Sequence, residues 1–167
     1  SWNSASTAMR RLDLRLPTEA QWEFAARAGS STIWWTGNDR SSLAGAANLA
    51  DAFAKQHDGP TSWSYDVSID DGRKVHAPVG SYRPNAFGLF DCAGNVYEFC
   101  REPWETYAQH ERAGDGEREG GTGSSYMIRG GAYHTSPDGL HSSFRTDVTA
   151  IYTDFSLGVR PARSLTR

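Results

Sequence analysis

Asp91, Gly94, Val96 and Glu98 fall within eight residues and alternate carboxylate side chains with backbone positions. Calcium takes about six to eight hard oxygen ligands from carboxylates, amide oxygens and backbone carbonyls, so a tight turn with this spacing can wrap a cation. The alternative is that Asp91 and Glu98 hydrogen-bond backbone amides. His134, Asp138 and His141 could imitate a two-histidine, one-carboxylate iron site, although histidines scattered at such spacing are commonly surface residues. His57, His76 and His110 carry no motif and read as surface positions. Cys92 and Cys100 lie eight apart, which is neither a CxxC metal spacing nor a disulfide framework, so both read as buried thiols.

These groups need elements to hold them. Leu16 to Gly29 carries the best helical signal. Thr18 is a good N-cap, and Gln21 three residues on completes a capping box. Glu19 in the first turn and Arg27 in the last match the helix dipole, and Gly29 suits the left-handed position after the end. Trp22, Ala25, Ala26 and Gly29 recur at helical spacing and predict one narrow buried face. A second helix is expected over Ala5 to Leu12. From Ser30 to Tyr82 periodicity fades, which predicts long ordered loops with brief strands such as Ile33-Trp34-Trp35. Loops of that length need something to pin them, a metal ion or a binding role. Glu111 to Ser125, polar and glycine-rich, reads as a mobile surface loop. Tyr126 to Arg129 and Leu157 to Arg160 read as core strands bracketing the last segment.

At 167 residues the chain is expected to form one domain over residues 1–167, with no internal repeat or linker. A 12% aromatic share excludes disorder for most of it. The net charge of -3, with Lys55 and Lys74 the sole lysines and arginines scattered, gives no reason to expect nucleic acid as a partner. No apolar run approaches the ~20 residues that span a bilayer. No signal peptide is visible, but the chain opens abruptly at Ser1-Trp2 and is expected to be a piece of something longer, leaving its compartment open.

Three segments resemble, in order, one known family. They are Arg15 to Arg27 (RLPTEAQWEFAAR), Asn85 to Asp91 with Gly94 to Cys100 (NAFGLFD and GNVYEFC), and Arg129 to Tyr133 followed by Arg145 and Gly158 to Arg163. Together they resemble the formylglycine-generating-enzyme or sulfatase-modifying-factor family across residues 15–163. The resemblance implies an α+β, irregular C-type-lectin-like (formylglycine-generating-enzyme-type) fold, loop-rich with little regular secondary structure. Members usually carry a further N-terminal portion that this sequence lacks. The resemblance also implies structural calcium at two places. One is the motif above, through the side chains of Asp91 and Glu98 and the carbonyls of Gly94 and Val96. The other uses Asn48, the carbonyl of Leu49, Asp71 and the carbonyl of Arg73, with the Asp70-Asp71-Gly72 turn where that site requires it. An Asx-turn at Asp71 is the plainer alternative.

The family's enzyme oxidises a sulfatase cysteine through two cysteines in its final segment that bind copper(I), a soft ion suited to thiolates. Residues 132–145 contain no cysteine, so no copper is expected and formylglycine generation is not. A related branch, the ergothioneine-type sulfoxide synthases, draws iron ligands from a helical domain that is absent here. In this fold the stretch after Gly131 forms a solvent-facing pocket or platform. Residues 132–157 mix tyrosine and phenylalanine with short hydroxylated and acidic residues, the chemistry of adaptable recognition surfaces. The candidate ligand face comprises Tyr133, His134, Ser136, Ser142, Phe144, Thr146, Asp147, Ile151, Tyr152, Asp154 and Phe155. From Ala132 onward Lys, Gln, Glu, Met, Trp and Asn are absent, the set that randomised Asn codons would yield. Variable proteins of diversity-generating retroelements, built on the same domain, place randomised residues here. The alternating aromatics could equally pack a strand.

The expected function is therefore a non-catalytic, calcium-stabilised ligand-binding or display domain, taking a protein or small molecule through residues 132–157. The competing expectation is a metal-dependent oxygenase-like enzyme completed by a missing partner domain. A third is a structural appendage of a larger signalling protein.

Overall fold

The computed structural model describes residues 1–118 and 123–164. Regular elements are few: helices α1 (Trp2–Arg11), α2 (Glu19–Arg27) and α3 (Ala52–Gln56), strands β1 (Tyr97–Pro103), β2 (Ser125–Arg129), β3 (Thr146–Thr149) and β4 (Leu157–Gly158), and two short 3-10 turns. The strands form one sheet in the order β3-β2-β1-β4. The fold is the mixed α+β, loop-rich one expected.

The chain forms two compact units, each drawn from separate segments. The first comprises Ser1–Trp22, Glu98–Arg129 and Arg145–Arg167, and the second Glu23–Tyr97 and Gly130–Phe144. In the first unit, β1 and β2 run antiparallel with Glu98 opposite Arg129, and β3 pairs antiparallel with β2 at the sheet edge. Met127, Ile128, Phe99 and Cys100 are buried within the sheet's strands. Helix α1 starts earlier than the Ala5 expected, because Ser1 caps it by accepting from the Ser4 amide. It ends at Asp13, which takes the left-handed conformation (φ 55°) while the Leu14 amide donates back to the Met9 carbonyl.

The capping box of α2 forms as its sequence requires. Gln21 N donates to Thr18 Oγ1 at 3.1 Å, and Thr18 N donates to Gln21 Oε1 at 3.1 Å. Trp22 and Ala26 are buried, but Gly29 is exposed and serves as a terminator rather than a packing position.

The second unit has little regular structure and a small apolar core of Trp34, Leu43, Ala47, Leu49, Ile69, Ala93 and Leu140. Buried amides organise its loops. Asn85 Nδ2 donates to the Ala25 and Ala26 carbonyls, which the end of α2 leaves without helical partners, while its Oδ1 accepts from the Phe87 and Leu89 amides. The segment 111–125, expected to be mobile, is instead tied down in its described part. Glu111 bridges Arg118, Arg118 is buried, and Arg101 and Arg112 both bind Asp115 and Glu117. Residues 119–122 of that segment lie outside the described residues.

Candidate functional site

The second unit turns on Gly94 and Asn95. Gly94 N donates to the Gly130 carbonyl and Asn95 N to the Asn48 carbonyl, both at 2.8 Å, and Tyr133 N donates to the Asn95 carbonyl. A Cβ on Gly94 would stand 2.0 Å from the Asn48 carbonyl oxygen, and its φ is 76°, so both space and conformation demand glycine. Asn95 Oδ1 accepts from Asn48 Nδ2 and the Ala77 amide. The two segments singled out for calcium thus meet through Gly94 and Asn48.

Around Asn48 the polar groups are buried and acidic. Asn48 is fully buried; its Nδ2 donates to the Val75 carbonyl, and its Oδ1 accepts no hydrogen bond among the described residues. Asp71 accepts from the Leu49 amide and from the Arg73 amide, both at 2.8 Å, which is the Asx-turn alternative realised. The Asp71 amide donates to Asp51 Oδ2 at 2.5 Å. Burial first, then the neighbouring charges of Asp51 and Asp70, push the Asp71 carboxyl up to about 7. Burial also raises the carboxyl of Asp51 and the phenol of Tyr82, whose hydroxyl lies 3.4 Å from the Asp71 carbonyl. A buried acidic pair with a buried amide oxygen beside it is a donor set that fits a hard cation.

The Asp91–Glu98 motif is divided between the units. Asp91, Gly94 and Val96 belong to the second, where Asp91 Oδ2 accepts from the Gly80 amide at 2.7 Å. Glu98 belongs to the first, where its carboxylate accepts from Trp22 Nε1 and from Arg160 Nε and Nη2, each at 2.7 Å.

The candidate ligand face is divided likewise. In the second unit Tyr133 and His134 are half-buried in an aromatic group with Trp63, Tyr97 and His76, so His76 is more than a bare surface residue. Ser136 and Phe144 are half-buried too, and Ser142 is buried, its amide donating to the Ile33 carbonyl. In the first unit Thr146 and Asp147 lie on β3 opposite Ile128 and Met127. Ile151 and Phe155 are 77% and 86% exposed, Tyr152 is exposed, and Asp154 accepts from the Ser156 amide.

His134, Asp138 and His141 do not assemble. Asp138 accepts from Arg40 Nη2 at 2.6 Å, His141 packs edge-on against Trp34, and His134 sits in the aromatic group. Among the described residues no three or more histidine, cysteine, aspartate or glutamate side chains form a metal-holding cluster. Cys92 and Cys100 are free and buried, and burial raises the Cys100 thiol well above its ordinary value.

Sequence reading missed the first unit's charged core. Glu19 was assigned to the helix dipole, yet it is buried among Arg118 (3.0 Å), Arg145 (2.5 Å) and Arg129 (3.6 Å). Arg129, fully buried, also lies over the Trp22 ring. Arginines recurring beside each conserved-looking motif fragment were the available signal.

The model of the sulfatase-modifying factor enzyme 1-like domain matches residues 1–165. The chain belongs to that family. The formylglycine-generating enzyme of Streptomyces coelicolor is 35% identical over 136 residues, covering 80% of this chain and 40% of that protein. Among solved structures, PvdO from Pseudomonas aeruginosa superposes with a TM-score of 0.76 at 26% identity, over 98% of this chain and 60% of that one. Treponema denticola variable protein 1 gives 0.66 at 28% identity, over 89% and 46%. The chain therefore spans under half the length of the curated family member. No helix among the described residues is long and apolar enough to cross a membrane.

Proposed function

We propose that this chain is a non-catalytic, calcium-stabilised binding or display domain with a C-type-lectin-like framework, recognising a protein or small-molecule ligand through residues 132–157. The observation that carries the calcium part is the buried Asn48 Oδ1, which lacks a donor among the described residues and precedes the Leu49 amide that Asp71 binds. Asn48 Oδ1, the Leu49 carbonyl, the Asp71 carboxylate and the Arg73 carbonyl would hold the ion, whose charge would offset the crowded acids. At the Asp91–Glu98 motif a second ion would have to share a Glu98 carboxylate already bound by Arg160.

The binding part is supported by the absence of cysteine from residues 132–145 and by exposed Ile151, Tyr152 and Phe155. Likeness to a variable protein also supports it, and extends the proposal to diversification by a retroelement. A near-repeat template copy and a reverse transcriptase beside the gene are the expected genomic companions; a locus with neither removes that extension.

The 35% identity to a formylglycine-generating enzyme favours one second reading, an oxygenase-like enzyme completed by further chain. Oxygen consumption with a sulfatase cysteine peptide, with and without copper(I), separates the two. The binding domain shows none above a protein-free control. Turnover in either condition overturns the non-catalytic reading.

A further inference from the structure

Two cavities in the first unit share Asp13 and Arg15. One, of about 350 Å3, is lined by Ser6, Arg10, Leu14, Leu16 and Arg101 besides these two; the other, of about 380 Å3, adds Arg163 and Ser164. Each reaches the size of a small-ligand site, roughly 300 Å3 or more. The backbone explains the convergence. The left-handed turn at Asp13 reverses the chain after α1, so Arg10 and Arg15 line one wall, and Arg15 pairs through backbone hydrogen bonds of 2.9 and 2.8 Å with Ala162, next to Arg163.

The lining charges are unusual for a protein whose net charge is -3. Glu19 and Glu98 neutralise the buried arginines of this unit, and Asp115 and Glu117 hold Arg101. Arg10, Arg15 and Arg163 make no ion pair or side-chain hydrogen bond among the described residues, and neither does Asp13. Three positive charges and one negative leave the groove two positive charges in excess. Like charges gathered without counterions in a concave site raise the local concentration of anions.

We infer that this groove binds a phosphate monoester. A monoester phosphate carries about -1.5 to -2 charges near neutral pH, matching the excess, whereas a sulfate ester or single carboxylate carries one. Guanidinium groups suit its oxygens in forked geometry, and the Ser6 and Ser164 hydroxyls add donors. Leu14 and Leu16 give the cavity an apolar wall for the body of the ester, which inorganic phosphate lacks. This site lies in the first unit, and its argument is independent of the calcium and ligand-face proposals.

Isothermal titration of the whole chain with phenyl phosphate, at fixed ionic strength, tests it. Saturable binding with Kd below about 1 mM is expected, about tenfold tighter than inorganic phosphate or phenyl sulfate. Arg15→Ala should weaken phenyl phosphate about tenfold, and Arg10→Ala with Arg163→Ala by a similar factor. Arg11→Ala, an exposed neighbour outside both cavities, should leave binding unchanged. These arginines are exposed, so melting curves matching the parent confirm that the variants fold. A phosphoserine peptide that outcompetes phenyl phosphate assigns the ester to a phosphorylated chain; one that competes worse assigns it to a small molecule. Absence of saturation, equal binding by phenyl sulfate, or undiminished binding by Arg15→Ala overturns the inference.

Discussion

In the first unit the buried carboxylates of Glu19 and Glu98 face guanidinium groups, whereas in the second Asp51 and Asp71 face backbone amides and each other. The first unit is thus neutralised by its own arginines, drawn from the sheet and the segments after it. The second concentrates buried negative charge and answers it with dipoles, which hold a carboxylate in place but do not cancel its charge. A unit of the first kind should be insensitive to added cations and intolerant of losing one partner. One of the second kind should respond to a cation.

The largest effect should come from Glu19→Gln. It keeps the side chain's shape but leaves Arg118, Arg129 and Arg145, two of them buried, without their shared counter-charge. Removing one partner of a buried charge group costs about 3–5 kcal/mol, and equilibrium urea unfolding should show a loss of that order. A loss under about 1 kcal/mol would mean that water reaches this cluster, and the contrast between the units would collapse.

Next comes calcium. Saturating calcium at about a hundred times its Kd should stabilise the protein by about 2.7 kcal/mol, read as a raised Tm, and a chelator should reverse the gain. Asp71→Asn should abolish the gain while Glu19→Gln retains it, which locates the cation response in the second unit. The pH dependence sharpens this. Without calcium the Asp71 carboxyl sits at about 7 in the folded chain against an ordinary 3.8. The folded state then holds this proton more tightly, so its contribution is full below pH 3.8 and is lost as pH rises through about 7. Bound calcium should lower that carboxyl and remove the loss. A Tm that ignores calcium between pH 5 and 8, about the range in which such a carboxyl titrates, would falsify the cation reading.

Much of this was legible in the sequence, and unevenly so. The capping box of α2 is a local exchange between Thr18 and Gln21, three residues apart, and local chemistry is what a sequence shows directly. The family motifs carried the fold, because Asn85, Gly94 and Asn95 do their work through backbone contacts that their residue types demand. What stayed hidden was long-range. Arg145 reaches Glu19 from 126 positions away, and neither charge reveals its burial in a segment read as helix or as binding face. The ligand stretch was read as continuous; the chain divides it between two units at Phe144 and Arg145, which no local pattern signals.

A smaller effect belongs to Glu102, the first unit's exception. It is buried, accepts from the Glu19 amide at 2.7 Å, and its other oxygen accepts no hydrogen bond among the described residues. Burial raises its carboxyl to about 7 from an ordinary 4.5. Its stabilising contribution is therefore full below pH 4.5 and is lost as pH rises through about 7. Glu102→Gln should flatten the stability curve in that window and raise stability at pH 8 by about 1–3 kcal/mol, measured by urea unfolding at several pH values. An unchanged slope would mean that Glu102 is ionised and solvated, and that the first unit has no such exception.

The smallest effect on folding should come from Phe155→Ser. The ring is 86% exposed, and the turn that presents it is set by Asp154, whose carboxylate accepts from the Ser156 amide at 2.8 Å and from the Ser156 hydroxyl. Backbone geometry there belongs to Asp154, so trimming the ring should shift unfolding by no more than about 0.5 kcal/mol, whereas Asp154→Ala should cost more. An apolar ring kept in water by a polar turn adds little to the fold, so its use must lie in what it meets. If Phe155→Ser proves as costly as Asp154→Ala, the ring is packing the first unit, and the recognition role must rest on Ile151 and Tyr152 alone.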